Sequence, residues 1–273
     1  MSMFENALSP ARQKWLKAQR KERILIRCAK IGLLVAIMLI WELAARFGVI
    51  DPFITSCPSR FMKSIYRLTL QGELMEHILV TTGEAVAGFI FGTLLGTLTA
   101  ILLWYFDFAR KVAEPYLVIL NALPKIALGP IFIVWIGAGA KAIIVIAITV
   151  SIIVTVMEVL HGFISTDSDM IKLAQTFGAK KRDILIKVVL PANIPTIVSS
   201  LKVNVGMSWV GVIVGEFLIS KAGLGYLIVY GSQVFQLDLV MASVVILSFI
   251  ADLMFFCIQW VERLLKIKQQ GSR

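Results

Sequence analysis

The groups able to do chemistry in this chain of 273 residues are few, and most lie inside apolar stretches. Lys125 falls about halfway through "EPYLVILNALPKIALGPIFIVWIG", between Pro124 and Pro130. Lys202, Trp209 and Glu216 recur every seven residues and so share one helical face, with Asn204, Ser208, Gly211 and Gly215 forming a small, polar strip beside it. A cation at membrane depth attracts anions, and prolines there free carbonyls that only a wet cavity or a protein partner can satisfy. The candidates for a translocation pathway are therefore Asn121, Pro124 and Lys125 in one segment and Lys202, Asn204, Ser208, Trp209 and Glu216 in the other. Each set has a plainer reading: Lys125 snorkelling to an interface or pairing structurally, the second set lining a helix contact.

Catalytic constellations are missing. No G-x-x-x-x-G-K-[ST] loop occurs, so the chain cannot cradle nucleotide phosphates itself. "GAGAK" at Gly137 to Lys141 is too short for one, and "GMSWVG" at Gly206 to Gly211 is no nucleophile elbow. His77 and His161 stand apart, without metal-ligand spacing, and interfacial placement accounts for both. Cys28, Cys57 and Cys257 are an odd set, at most one of them on the outer side of the membrane, and are expected as free thiols. No metal, cofactor or enzymatic activity is expected.

What positions the polar groups is a greasy scaffold. Hydrophobic residues make up 58% of the chain and charged ones 16%, a composition for which the bilayer is the main solvent. A span needs about 20 apolar residues, and six stretches qualify: Cys28 to Phe47, Ile78 to Trp104, Pro115 to Ile136, Ala142 to Leu160, Thr196 to Ser220 and Leu239 to Val261. The expected fold is an all-α polytopic membrane protein, a six-helix bundle with a two-helix cytoplasmic loop. A basic tail (1–27), the bundle (28–262, its loop at 161–195) and a second tail (263–273) divide the chain.

The net charge of +10 does not point to nucleic acid, because the cations sort by side of the membrane. With the N-terminus inside, nineteen of the 27 Lys and Arg residues are cytoplasmic and six are outside; Lys125 and Lys202 lie within spans. Both termini and the loop are thus expected in the cytoplasm. The first tail is no signal peptide, being too long, without an A-x-A site and followed by a span containing Glu42. It reads equally as a solvated charge run or as a surface helix, Trp15 and Leu16 toward lipid and Lys14 and Lys17 at head groups.

The loop is the most informative segment. Thr166, Asp167 and Ser168 offer N-caps, with Thr166 and Asp169 in capping-box spacing. Met170, Leu173, Ala174 and Phe177 then form one apolar stripe, and Gly178 ends the helix. Lys180, Lys181, Arg182 and Asp183 open a second helix whose Ile184, Leu185, Val188 and Val189 share a face, with Pro191 and Pro195 closing it. Two such faces in water need a partner.

The remaining signals concern packing. Gly88, Gly92 and Gly96, with Ala100 continuing the row and Glu84 one step before it, let another helix approach closely. Glu42 and Arg46 are i, i+4 partners, and Trp41, Trp104, Trp135 and Trp260 fall near span ends as an aromatic belt. "SKAGLGYLIVYGSQVFQLD" reads as a plain loop, a re-entrant segment or a cap on the pathway, and Asp252 as buried against a neighbour.

Taken together, "ALPKIALGPIFIVWIGAG", "LAQTFGAKKRDILIKVVLPANIP" and "GEFLISKAGLGYLI", the last with Glu216, Gly223 and Gly225, resemble the transmembrane subunits of bacterial ABC importers, within them the nitrate, sulfonate and taurine group. The likeness covers nearly the whole chain. That family carries an E-A-A-x3-G-x9-I-x-L-P loop that docks on the ATPase. Here the frame reads Lys172, Leu173, Ala174, Gly178, Val188, Leu190 and Pro191, with Ala179 following the glycine. Lys172 replaces the Glu, Leu173 the first Ala and Val188 the Ile, which suggests an ATPase groove complementary to a cation. The resemblance implies a homodimer in the bacterial cytoplasmic membrane, two ATPase subunits that bind ATP and Mg, and an extracytoplasmic substrate-binding protein. It also implies a small anionic substrate, such as nitrate, a sulfonate or taurine, or else a neutral pyrimidine or vitamin-like solute. A stand-alone carrier or channel using Lys125, Lys202 and Glu216 is the rival reading, although no repeated halves are evident; an integral membrane enzyme is a third.

Overall fold

The computed structural model describes residues 10–270, among which no strand occurs. The first nine residues of the basic tail and Arg273 lie outside the described residues, as do the side chains of Lys14, Leu16, Lys17, Lys266 and Lys268. Two units meet between Lys63 and Ser64.

In the first unit, α1 (Pro10–Arg46) runs unbroken through the expected boundary at Arg27. Its apolar part, Ala18–Arg46, makes tail and span one helix, with Trp15 exposed. Glu42 pairs with Arg46 at 2.9 Å, as i, i+4 spacing requires, and also accepts from Ser59 N at 3.0 Å. That second bond fixes the turn after α1, where Asp51 caps α2 (Pro52–Thr55) through Phe53 N and Trp41 meets Phe61 at 5.9 Å. α3 (Pro58–Gln71) crosses into the second unit.

The second unit is built around three apolar helices, α4 (Glu73–Tyr105), α7 (Ala140–Ile164) and α11 (Ile194–Ile219). Hydrocarbon gives apolar helices no hydrophobic reason to associate, so close packing must hold them together. The glycines supply it. A Cβ at Gly88 would stand 2.6 Å from Ala147 Cβ, one at Gly96 2.6 Å from Thr155 Cβ, and one at Gly92 would overlap Ser151 Oγ. From the other side, a Cβ at Gly211 would lie 2.5 Å from Ala147 Cα, and Gly215 sits as tightly on Ile143. Ala147 is thus clamped between glycines of α4 and α11. Asn204 Nδ2 crosses the same contact, donating to Thr155 Oγ1 at 2.5 Å and Thr93 Oγ1 at 3.0 Å. Such interhelical bonds contribute about 0.6 kcal/mol each in membranes.

The expected third span, Pro115 to Ile136, is broken at one of the prolines that interrupt it. There α5 (Asp107–Ala122) meets a 3-10 turn at Lys125–Leu128 and α6 (Gly129–Ile136) at an 88° bend. Pro124 has no N–H to carry a helix through, and Leu123 before it is extended at ψ 138. Five helices among the described residues are long and apolar enough to cross a membrane, and the bent pair makes a sixth if it counts as one span. The last of them lies within α13 (Leu237–Gln270) and exposes Asp252, which is not buried against a neighbour in this chain as expected, because that face of α13 turns away from the bundle. The three cysteines are unpaired.

Candidate coupling surface and pathway

The loop between α7 and α11 opens with α8 (Ser168–Thr176), capped by Asp167, whose side chain accepts from Asp169 N at 2.9 Å. The expected Thr166 capping box does not form, because Asp167 takes the Asp169 N–H; the Thr166 hydroxyl accepts instead from Asn193 Nδ2 at 2.7 Å and so ties the two ends of the loop together. α8 ends where expected, since Gly178 takes φ +77, a conformation costly for other residues.

The second half differs from expectation. α9 (Lys181–Ile184) continues through a π-helical turn (Leu185–Val189) into α10 (Leu190–Ala192), and the break comes at Asn193. Pro191 lies two residues before that break, at the end of the continuous helical run, as expected, whereas Pro195 occupies the first turn of α11, where a missing N–H costs nothing, so it opens a helix and does not close one. Ile184, Leu185 and Val189 are buried against Ala100, Val159, Leu160 and Phe163, so the expected apolar face is covered, while Ile186 beside it is exposed. Lys181 adds an ion pair to Asp107 at 2.7 Å beneath the rings of Trp104 and Tyr105, each 5.8 Å from the ammonium. Asp183 pairs with Lys187 at 3.2 Å, which holds its carboxyl below the usual carboxylate range.

The two halves of the loop therefore do different jobs. The second is folded onto the bundle, whereas α8 keeps Met170 53%, Leu173 59% and Phe177 83% exposed. Ala174 turns partly inward, and with Phe177, Gly178, Ala179, Asp183, Lys187 and Val188 it walls a concavity of about 320 Å³. Lys172 stays at the surface, 3.2 Å from Asp169. Leu190 packs against the buried cluster, and Val188 is shared between cluster and concavity.

The pathway candidates separate equally clearly. Asn204, Ser208, Trp209 and Glu216 are at most 4% exposed in the helix contacts of this chain and line no open surface of it. Lys202 pairs with Glu262 on α13 at 2.6 Å. Asn121, Pro124 and Lys125 lie at the 88° bend, all exposed or half-buried, with the Lys125 ammonium donating to Asn121 Oδ1 at 3.2 Å and Asn121 O at 3.3 Å. Residues with no evident connection in the sequence also meet: His77 and Thr81 of α4 reach α12 (Leu224–Gln233) by accepting hydrogen bonds from Gly223 N and Leu224 N. His77 accepts there and is no merely interfacial group. Only its i, i+4 spacing from Thr81 could have hinted at a shared contact.

The structure is thus a bundle of apolar helices clamped through glycines and bent at one proline, with exposed hydrophobic side chains on a short helix between its spans. The chain belongs to the family of binding-protein-dependent transport system inner membrane components, whose model matches residues 92–268. It is 32% identical over 237 residues to a probable ABC transporter permease protein of Haemophilus influenzae, covering 86% of this chain and 96% of that one. It is 27% identical to the putative aliphatic sulfonates transport permease protein SsuC of Bacillus subtilis, over 85% of each chain. The formylaminopyrimidine transport permease protein ThiX of Halalkalibacterium halodurans matches at 27% over 84% of this chain and 91% of its own. Among solved structures, the inward-facing MetNI methionine ABC transporter aligns at TM-score 0.62 and 19% identity, over 71% of this chain and 97% of that chain. The bacterial alginate ABC transporter, in complex with its alginate-bound periplasmic protein, aligns at 0.60 and 14%, over 89% and 97%. At those identities the likeness establishes the fold. Multi-pass insertion in the inner membrane follows from the family and the apolar helices.

Proposed function

We propose that two copies of this chain enclose the pathway of an ATP-driven importer whose energy comes from cytoplasmic ATPase subunits docked on the loop over 161–195. The observation that carries the reading is the exposed row Met170, Leu173 and Phe177 on a helix whose supporting half is packed down. A membrane protein gains nothing by holding Phe177 in water unless a partner covers it. In this reading both termini face the cytoplasm, the chain is non-catalytic, and ATP and Mg belong to the partner. Lys172 in place of a carboxylate calls for an acidic complement in the ATPase groove. ATPase closure draws the two α8 helices together and rotates the bundles as rigid bodies, a two-state change. An extracytoplasmic binding protein delivers the substrate.

A small anion is the favoured substrate, because Lys125 is half-buried at the bent span and, among the described residues, its ammonium donates only to the neutral Asn121. A cation there lowers the cost of bringing an anion into the membrane. Lys125→Met is expected to reduce anion-stimulated ATP turnover about tenfold while leaving assembly intact, a loss of one charge-assisted contact. Unchanged stimulation by nitrate or a sulfonate in the variant would remove Lys125 from the pathway. A neutral heterocycle remains the second reading, supported by the formylaminopyrimidine permease among the relatives; turnover stimulated by a pyrimidine and indifferent to Lys125 would favour it.

A further inference from the structure

The short helix α12 starts against α4 and α11 and ends at an exposed edge. At its start three successive backbone N–H groups are taken by side chains of spanning helices. Gly223 N donates to His77 Nδ1 at 2.9 Å, Leu224 N to Thr81 Oγ1 at 2.7 Å, and Gly225 N to Glu216 Oε2 at 2.6 Å. Thr81 in turn donates to Glu216 Oε1 at 2.7 Å, joining α4 and α11 through the same carboxylate. Glu216 is 1% exposed, and the Glu84 carboxyl lies against it. Side chains are excluded at the seam, since a Cβ on Gly223 or Gly225 would strike the Glu216 carboxyl, and Gly223 sits at φ +114. An N-terminus held at three successive donors, one of them bonded to a buried carboxyl group, cannot tilt without breaking several bonds in a low-dielectric site.

The far end turns tightly into α13, with Gly231 buried against Val240 and Gln236 N donating to Gly231 O at 2.7 Å. Around that turn Tyr230, Ser232, Gln233, Val234, Phe235 and Gln236 are exposed, and Phe235 is held at φ 56, an unusual conformation for an aromatic residue. A rigid element anchored on two spanning helices at its start and on α13 at its far turn, and presenting an aromatic and amide edge there, is built to transmit a push.

We propose that α12 is a lever that carries contact with the extracytoplasmic binding protein into α4 and α11, and that Glu216, Thr81 and His77 are the positioning residues that make it rigid. The lever rests on the importer reading above, because the partner that pushes it is the binding protein.

Thr81→Val keeps the side-chain shape and removes both of its hydrogen bonds, and Gly225→Ala forces the carboxyl away. In the complete complex in nanodiscs, both variants are expected to keep ATPase assembly and basal ATP turnover and to lose about tenfold of the stimulation by loaded binding protein, the size of a typical coupling between sites. Stimulation at the wild-type level in either folded variant would overturn the lever. A second measurement needs no disruptive change: spin labels at Ser232 and Glu76 report the distance from the α12 tip to the start of α4. That distance is expected to stay constant when loaded binding protein is added, while labels on α4 of the two copies move. A changed tip distance would show α12 swinging independently and would overturn the proposal. If the wild-type complex showed no stimulation by any binding protein, the importer reading would have failed, and not the rigidity of α12.

Discussion

Phe177→Ala is expected to strip the ATPase from this subunit without disturbing the subunit itself. The ring is 83% exposed and lies at the rim of the concavity between α8 and Lys187, so its removal opens no cavity in the fold. Thermal unfolding of the purified chain should therefore not change. Aromatic anchors that fill a partner's pocket typically contribute 2 kcal/mol or more, so association should weaken by roughly 30-fold or more. Titration of the purified ATPase onto the chain in nanodiscs reads the effect, with Lys180→Ala as a rim control expected to change little. Equal affinity of wild type and Phe177→Ala would mean that α8 is not where the ATPase sits.

The second large effect is structural. Gly211→Val places its Cβ 2.5 Å from the Ala147 backbone, and neither helix can yield because Gly88 closes on Ala147 from the opposite side. Overpacking of this kind usually costs about 1–3 kcal/mol in cores that can relax. Here the obstacle is backbone, so a cost at the top of that range or beyond it is expected, seen as a large drop in thermal midpoint and aggregation on size exclusion. Gly206→Ala, on the same helix, meets nothing within 4 Å and should be nearly neutral in the same assay. Similar midpoints for the two variants would contradict the clamp.

These two predictions also mark what the sequence could and could not disclose. A row of glycines four residues apart announces a close helix contact by itself, because only a missing Cβ permits one; the sequence could not say that α7 was the partner or that Gly211 closed the clamp from behind. The limits of α8 were legible for the same local reasons, a short polar cap and a glycine at positive φ. Where the reading departed from the structure, the deciding partner lay far along the chain. Lys202 looked like a pathway cation because Glu262 is 60 residues away, and the polar strip of α11 was ambiguous until Thr93 and Thr155 were brought to Asn204. Thr166 had the spacing of a cap, yet Asp167 takes the Asp169 N–H and the Thr166 hydroxyl bonds to Asn193. The prolines mark discontinuities reliably, but proline alone does not choose between ending a helix and starting one. Pro124 broke a span into an 88° bend and Pro191 precedes the break at Asn193, whereas Pro195 begins a new helix.

The central claim, that this chain is the passive half of an ATP-driven machine, is tested most directly by uptake into sealed proteoliposomes. The chain is reconstituted alone and then with its ATPase and binding protein, with ATP supplied on the ATPase side. The account predicts accumulation of the anion only when ATPase, binding protein and ATP are all present, and none with the chain alone at any gradient. Saturable uptake by the chain alone, driven by an ion or proton gradient and indifferent to ATP, would contradict it and make the protein a secondary carrier.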